Sequence, residues 1–149
     1  LAAKSDQEWK VKWFVGDLAR LPLLDQSMDL LLDIFSPANY QEFKRILAPD
    51  GRLIKVIPTA AHLQEIRQKV KDHLDQADYS NEQIIQHFSD HFTIENTIHC
   101  QETFELTPAL REALLSMTPL LFHVDPAQID WTNLTQVTIS ATILIGRSN

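Results

Sequence analysis

Only one cysteine and three glycines occur in the 149 residues, and each scarcity excludes something. Cys100 alone closes no internal disulfide and builds no multi-thiolate zinc site, so neither a secreted scaffold nor a zinc ribbon fits this stretch. Gly16, Gly51 and Gly146 lie too far apart to form a Gly-rich loop around a ligand. No apolar run approaches the roughly 20 residues of a bilayer span, and no basic segment precedes an apolar leader. The expectation is a soluble, cytoplasmic chain without a membrane partner. The first methionine is Met28 and the chain opens Leu1-Ala2-Ala3-Lys4, so a segment of something longer is expected.

The composition that remains, 44% hydrophobic and 22% charged, suits one globular domain over 1–149 with a real core. The net charge of −7 argues against a surface that holds nucleic acid throughout. It is unevenly spread: residues 1–72 carry 11 basic against 10 acidic side chains, and residues 73–149 carry 2 against 10. A polyanion would therefore meet the first half.

Along the chain, Val11 to Val15 reads as a short strand that includes Trp13 in its packing. Met28 to Phe35 reads as a second strand, apolar enough to be buried on both sides, as in a parallel sheet covered by helices. Ser36-Pro37 suit the start of a helix carrying Tyr40, Phe43, Ile46 and Leu47 at helical spacing, and Arg52 to Ile57 gives a third strand. Leu63, Ile66, Val70 and Leu74 line one face of a further helix, and Ser80-Asn81-Glu82-Gln83 has the capping-box form before Ile84, Ile85 and Phe88. Phe92 to Leu106 is strand-like, and Thr107-Pro108 opens a short helix. Strict alternation from Val137 to Ile145 predicts a last strand with one face more buried than the other, paired antiparallel to the one before. The rhythm is that of a doubly wound α/β sheet with no repeat or linker.

In such a sheet ligands bind beyond the carboxyl ends of the strands. Three segments fall there: Gly16 to Pro22, Ile34 to Asn39, and Pro58 to His62. Asp17, a carboxylate just after a strand, could accept a hydrogen bond from a ligand amine. Other candidates have simpler readings. His87 and His91 are spaced as a helical metal pair but lack a third ligand, so no metal site is expected. Cys100 reads as a buried inert thiol. Trp131 reads as packing, and Arg67, Lys69 and Lys71 as a solvated helix face that could also meet RNA phosphates.

The run Gly16-Asp17-Leu18-Ala19-Arg20-Leu21-Pro22-Leu23, then Ser27-Met28-Asp29 entering a strand, resembles two motifs of the class I methyltransferases that use S-adenosylmethionine. Arg45 to Leu53 resembles the helix-turn-strand that follows them. Ile34 to Asn39, Pro58 with His62-Leu63 and Glu65, and Met117-Thr118-Pro119 are more specific, and look like the bacterial 23S ribosomal RNA (guanine-N1)-methyltransferases. The resemblance implies the carboxy-terminal part of a Rossmann-like methyltransferase sheet. The zinc module and Gly-rich cofactor loop with which that family begins are absent here.

Carried over by position, the resemblance implies cofactor contacts from Asp17, Leu18, Phe35, Ser36, Pro37 and His62. It implies that Ser36 and Asn39 hold the guanine edge; from the residues, Asp33 is a candidate base for the N1 proton, or equally an acid near a strand end that pairs with a neighbour. The family pattern has arginine at the place of Asp33, and Thr59-Ala60-Ala61 replaces its glycine, proline and arginine before His62. The implied function is methyl transfer from S-adenosylmethionine to N1 of a guanine in a 23S ribosomal RNA hairpin. The hairpin would be bound through the missing amino-terminal part and the more basic first half. A small-molecule acceptor, or a non-catalytic remnant that forms a homodimer through an exposed strand edge, remain open from the residues alone.

Overall fold

The computed structural model describes residues 6, 10–71, 80–122 and 124–149. Its order is strand β1 (Met28–Ile34), helix α1 (Tyr40–Ile46), strand β2 (Leu47–Pro58), helices α2 (Gln64–Lys69) and α3 (Glu82–Ser89), strand β3 (Phe92–Glu105), helix α4 (Pro108–Met117) and strand β4 (Gln136–Ser148). The four strands form one sheet in the order β1-β2-β4-β3. β1 and β2 run parallel, joined by the α1 crossover, while β4 lies antiparallel to both of its neighbours. β4 is thus threaded between two strands that precede it in sequence.

Two apolar clusters hold the layers together. Tyr40, Phe43, Leu53, Phe88, Phe92 and Leu144 form one, and Leu63, Ile66, Val70, Leu121, Leu134 and Val137 the other. Leu144 and Val137 are an odd number of residues apart on β4, so alternation assigns the clusters to opposite faces of that strand. Trp131 packs at the rim of the second cluster, as its apolar setting predicts.

Several local expectations change. Residues 11–15 form no strand, and Trp13 is half exposed; among the described residues no strand lies beside them to complete a ladder. β1 is an edge strand: Leu30, Leu32 and Ile34 are 52%, 58% and 55% exposed, where an apolar run had implied cover on both faces. The helix after it starts at Tyr40 with Asn39 as its cap, three residues later than Ser36-Pro37 suggested. Phe35 takes a left-handed φ of 50°, which swings the chain aside before the helix begins. The capping box at Ser80 is not formed: Asn81 is the cap residue, makes no side-chain cap bond, and donates instead to the carbonyl of Pro58 at 2.7 Å. Leu74 lies outside the described residues. Cys100 is exposed rather than buried, because β3 is the other edge of the sheet.

β4 is buried on both faces, and the face carrying Thr138, Ser140 and Thr142 is the more enclosed. Each of these hydroxyls is paired. Thr138 donates to Glu65 at 2.6 Å, Ser140 accepts from Thr59 at 2.6 Å, and Thr142 lies 3.0 Å from a ring nitrogen of His99. Buried hydroxyls are tolerated when they are satisfied in this way.

Candidate functional site at the ends of the parallel strands

The parallel pairing of β1 and β2 brings their carboxyl ends side by side, with Asp33 opposite Lys55 and Ile34 opposite Val56. The Phe35 amide donates to the Val56 carbonyl at 3.0 Å, extending the pairing one residue past β1. A left-handed φ costs a β-carbon-bearing residue about 1 kcal/mol, so the Phe35 turn is held by its surroundings. Its ring leans on His62 from the loop after β2, with centroids 5.0 Å apart.

Below that turn lies a buried charged knot. Asp33 and Lys55 are 2% and 4% exposed, and Lys55 Nζ donates to Asp33 Oδ2 at 2.6 Å. The same ammonium donates to the Ser36 carbonyl at 3.0 Å, and Ser36 Oγ donates to Asp33 Oδ1. Both carboxylate oxygens of Asp33 therefore accept hydrogen bonds from within the protein. Its geometry supports fixing Lys55 and the Ser36 turn rather than collecting a proton from a ligand. Lys55 was not singled out from sequence, although a lone charge inside the apolar run Leu53-Ile54-Lys55-Val56-Ile57 is the signal that could have found it.

Asn39 has a bridging role. Its Oδ1 accepts from the Glu42 amide at 3.2 Å and its Nδ2 donates to the Leu18 carbonyl at 3.3 Å, which ties the α1 cap to the 16–23 segment. Asp17 turns back on its own backbone, accepting from the Ala19 amide at 2.9 Å. Leu18 packs against the first apolar cluster. Glu42 steadies the same segment by accepting from the Leu21 amide at 2.7 Å and from Arg45. The hydrogen bonds from Arg45, opposed by burial and supplemented by the Leu21 amide, bring the Glu42 carboxyl down to about 2.

His62 accepts at Nδ1 from the Ser140 amide, 3.3 Å away. Burial, with Arg67 adding to it, holds its pKa below the ordinary imidazole value. A neutral ring whose Nδ1 is an acceptor carries its proton on Nε2, so His62 offers a donor. The helix cations expected to face solvent are engaged locally: Arg67 donates to the His62 carbonyl at 3.1 Å and Lys69 to the Asp130 carbonyl at 2.8 Å.

Two hollows flank the end of β1. One of about 410 Å³ is bounded by Phe35, Pro37, Tyr40, Lys55, Pro58 and Ile84. The other, about 300 Å³, is lined by Leu18, Leu31, Asp33 and Ser36 among others. Both have the size of small-molecule sites. Ser36 borders both, so the turn of Phe35, Ser36 and Pro37 divides them. Burial, reinforced by the Asp33 carboxylate, pushes the Tyr40 hydroxyl up to about 12, and it stays protonated. His87 and His91 rest their rings on Tyr40, with centroids 4.9 and 5.2 Å away.

A parallel pair continued by an antiparallel strand pair whose last member is inserted is the strand arrangement expected of the later part of a Rossmann-like class I methyltransferase sheet. Solved structures agree at the level of fold. A Bacillus halodurans protein provisionally named a methyltransferase superposes with a TM-score of 0.55 at 13% identity, over 97% of this chain and 74% of its own. An S-adenosylmethionine-dependent methyltransferase of Thermotoga maritima does so with a TM-score of 0.52 at 17% identity, over 99% and 69%. No family model matches the chain.

Its curated sequence relatives narrow the class. A Bacillus subtilis protein provisionally named a 23S rRNA (guanine-N1)-methyltransferase is 34% identical over 137 residues, 90% of this chain and 49% of the relative. The 23S rRNA (guanine(748)-N1)-methyltransferase of Streptomyces fradiae is 27% identical, over 85% of this chain and 47% of its own length. The chain is homologous to part of the 23S rRNA (guanine-N1)-methyltransferases, and spans about half the length of these relatives.

Proposed function

We propose that this chain is the later part of an enzyme that transfers a methyl group from S-adenosylmethionine to N1 of a guanine in 23S ribosomal RNA. The observation that carries the reading is the turn of Phe35, Ser36 and Pro37 at the carboxyl ends of two adjacent parallel strands, where Phe35 leans on His62 and Ser36 shares a hollow with Leu18. The hollow on the Leu18 side has mainly apolar walls with Asp33 and Ser36 at its edge, the serine hydroxyl donating to Asp33 and presenting its oxygen as an acceptor, a lining that fits the flat face and amino edge of a purine. When bound, S-adenosylmethionine supplies a methyl group activated on a sulfonium.

In this reading Leu18 and the exposed carboxylate of Asp17 take the adenine, and Phe35 to Pro37 separate the cofactor from the acceptor base. His62 offers its Nε2 proton to a carbonyl or ring-nitrogen acceptor. The protein acts chiefly by position and by excluding water. The cationic side chains that meet RNA phosphates come from the first half of the chain.

Titration calorimetry of S-adenosylmethionine with this chain and its Asp17→Ala and Phe35→Ala variants tests the cofactor half of the proposal. Tritiated methyl transfer to 23S ribosomal RNA, by a protein that contains the chain, tests the acceptor half. Saturable binding weakened by both substitutions supports the assignment. Methylation of free nucleosides in preference to ribosomal RNA would turn the reading toward a small acceptor, which the net charge of −7 favours.

A further inference from the structure

Lys55 stands in the wall of the larger hollow with its charge almost withdrawn from water, and neither sequence nor relatives assign it a task. An ammonium has three N–H donors. Two are committed, to Asp33 Oδ2 at 2.6 Å and to the Ser36 carbonyl at 3.0 Å, and these two bonds fix where the nitrogen sits. No third partner for it occurs among the described residues. Around it the hollow is mainly apolar, with the half-exposed ring of Phe35 and the rings of Pro37 and Pro58. A planar base could lie against those surfaces. In so dry a setting a charged donor discriminates strongly between acceptor and donor atoms.

We propose that Lys55 recognises the acceptor base, giving its remaining N–H to the 6-oxo carbonyl of a 6-oxopurine seated in this hollow. The inference rests on the functional reading above and names the group that selects the base. Adenine carries an amino group at the same place, and would set donor against donor. The contact also bears on reactivity. N1–H of guanine is bonded to the carbon that carries O6. When its proton leaves to water, the electron pair of the N–H bond spreads over N1 and O6. A cation held at O6 stabilises that anion, so Lys55 favours the deprotonated base without itself accepting a proton.

The test uses this 149-residue chain, ¹⁵N-labelled at lysine, and follows the Lys55 ammonium resonance by NMR. The probes are guanosine, inosine and adenosine monophosphates and 2-aminopurine riboside monophosphate, which lacks the 6-oxo group. Guanosine and inosine monophosphates are expected to bind alike and to shift the Lys55 signal. The 2-aminopurine and adenosine nucleotides should bind about tenfold more weakly and leave the signal in place. The paired variant Lys55→Met with Asp33→Asn removes both charges, so neither is orphaned, and should bind all four nucleotides equally.

Equal binding of the guanosine and 2-aminopurine nucleotides by the natural chain overturns the proposal. So does a failure to bind any of them at millimolar concentration. Discrimination that survives in a folded paired variant overturns it too, and the nucleotide series on the natural chain is decisive if that variant does not fold. Methylation of ribosomal RNA by the paired variant with unchanged KM and pH profile would remove Lys55 from recognition and leave the methyltransferase reading standing. Nucleotide discrimination without any methyl transfer would do the reverse.

Discussion

Replacing Lys55 by methionine leaves the Asp33 carboxylate buried with one hydrogen bond from Ser36 and no counter-charge. Side-chain exposures of 5% for Lys55 and 1% for Asp33 leave an orphaned carboxylate poorly hydrated. Breaking a buried ion pair on one side costs about 3–5 kcal/mol. Domains of this size are stable by only about 5–15 kcal/mol in total, so the single variant should sit near the edge of folding. Taking about 2 kcal/mol/M for the urea dependence, the unfolding midpoint should fall by about 1.5–2.5 M. Asp33→Asn in the same chain removes the orphaned charge. The double variant should recover most of the loss, because neutral replacement of a whole buried pair is often close to harmless. Urea unfolding followed by far-UV circular dichroism, on the natural chain, both single variants and the double variant, closes the cycle. A Lys55→Met loss below about 1 kcal/mol, or single effects that simply add, would show that the two side chains are not coupled as described.

Other consequences can be measured on the same material. Glu42 titrates near 2 instead of its usual 4.5, so its contribution is complete above pH 4.5 and lost as the pH falls toward 2; Glu42→Gln should flatten acid unfolding in that window, and an unchanged slope would contradict the Arg45 pairing. The His62 pKa lies below 6.5 because burial disfavours its charged form, so the unfolded chain takes up the proton first and stability falls as the solution is acidified through that range. An NMR titration of the His62 ring should give a midpoint under 6.5, and one at or above it would refute the neutral, Nε2-protonated ring. Gly146→Ala places a β-carbon 2.7 Å from two ring carbons of buried Phe88, and should cost about 1–3 kcal/mol in urea unfolding. Gln26, at φ 52° on the surface, should gain up to about 1 kcal/mol on replacement by glycine.

What could be read from the residues was what repeats locally. The alternation in β4, the helical spacing of Tyr40, Phe43 and Ile46, and the Thr107-Pro108 start of α4, whose threonine accepts from the Leu110 amide, all depend on neighbours within a few residues. The Lys55 knot was hidden because its partner is 22 positions away, and only the parallel register puts them side by side. Ser36 and Asn39 are both good cap residues, and the choice between them falls to the Phe35 turn, whose φ no local pattern announces. Residues 11–15 have strand composition, yet a strand needs a partner edge as well as suitable side chains. The alternation in β4 does not say which face is the more enclosed; it is the threonine and serine face, because Glu65, Thr59 and His99 supply partners for its hydroxyls. The 35–37 and 58–62 segments follow β1 and β2 as their positions in the sequence imply, whereas the strand expected before Asp17 is not formed.

The insertion of β4 between β2 and β3 sets the order in which the molecule can be made. A ribosome releases the chain from its amino end, so β2 and β3 emerge before the strand that must lie between them. Until residues 136–148 are free of the exit tunnel, those two strands have no shared neighbour, and their apolar side chains stay open to wrong partners. The parallel pair of β1 and β2 can form early, but β3 joins the sheet only once β4 is present, and a stop codon anywhere before Gln136 should yield material that is cleared or aggregates instead of a smaller working fold.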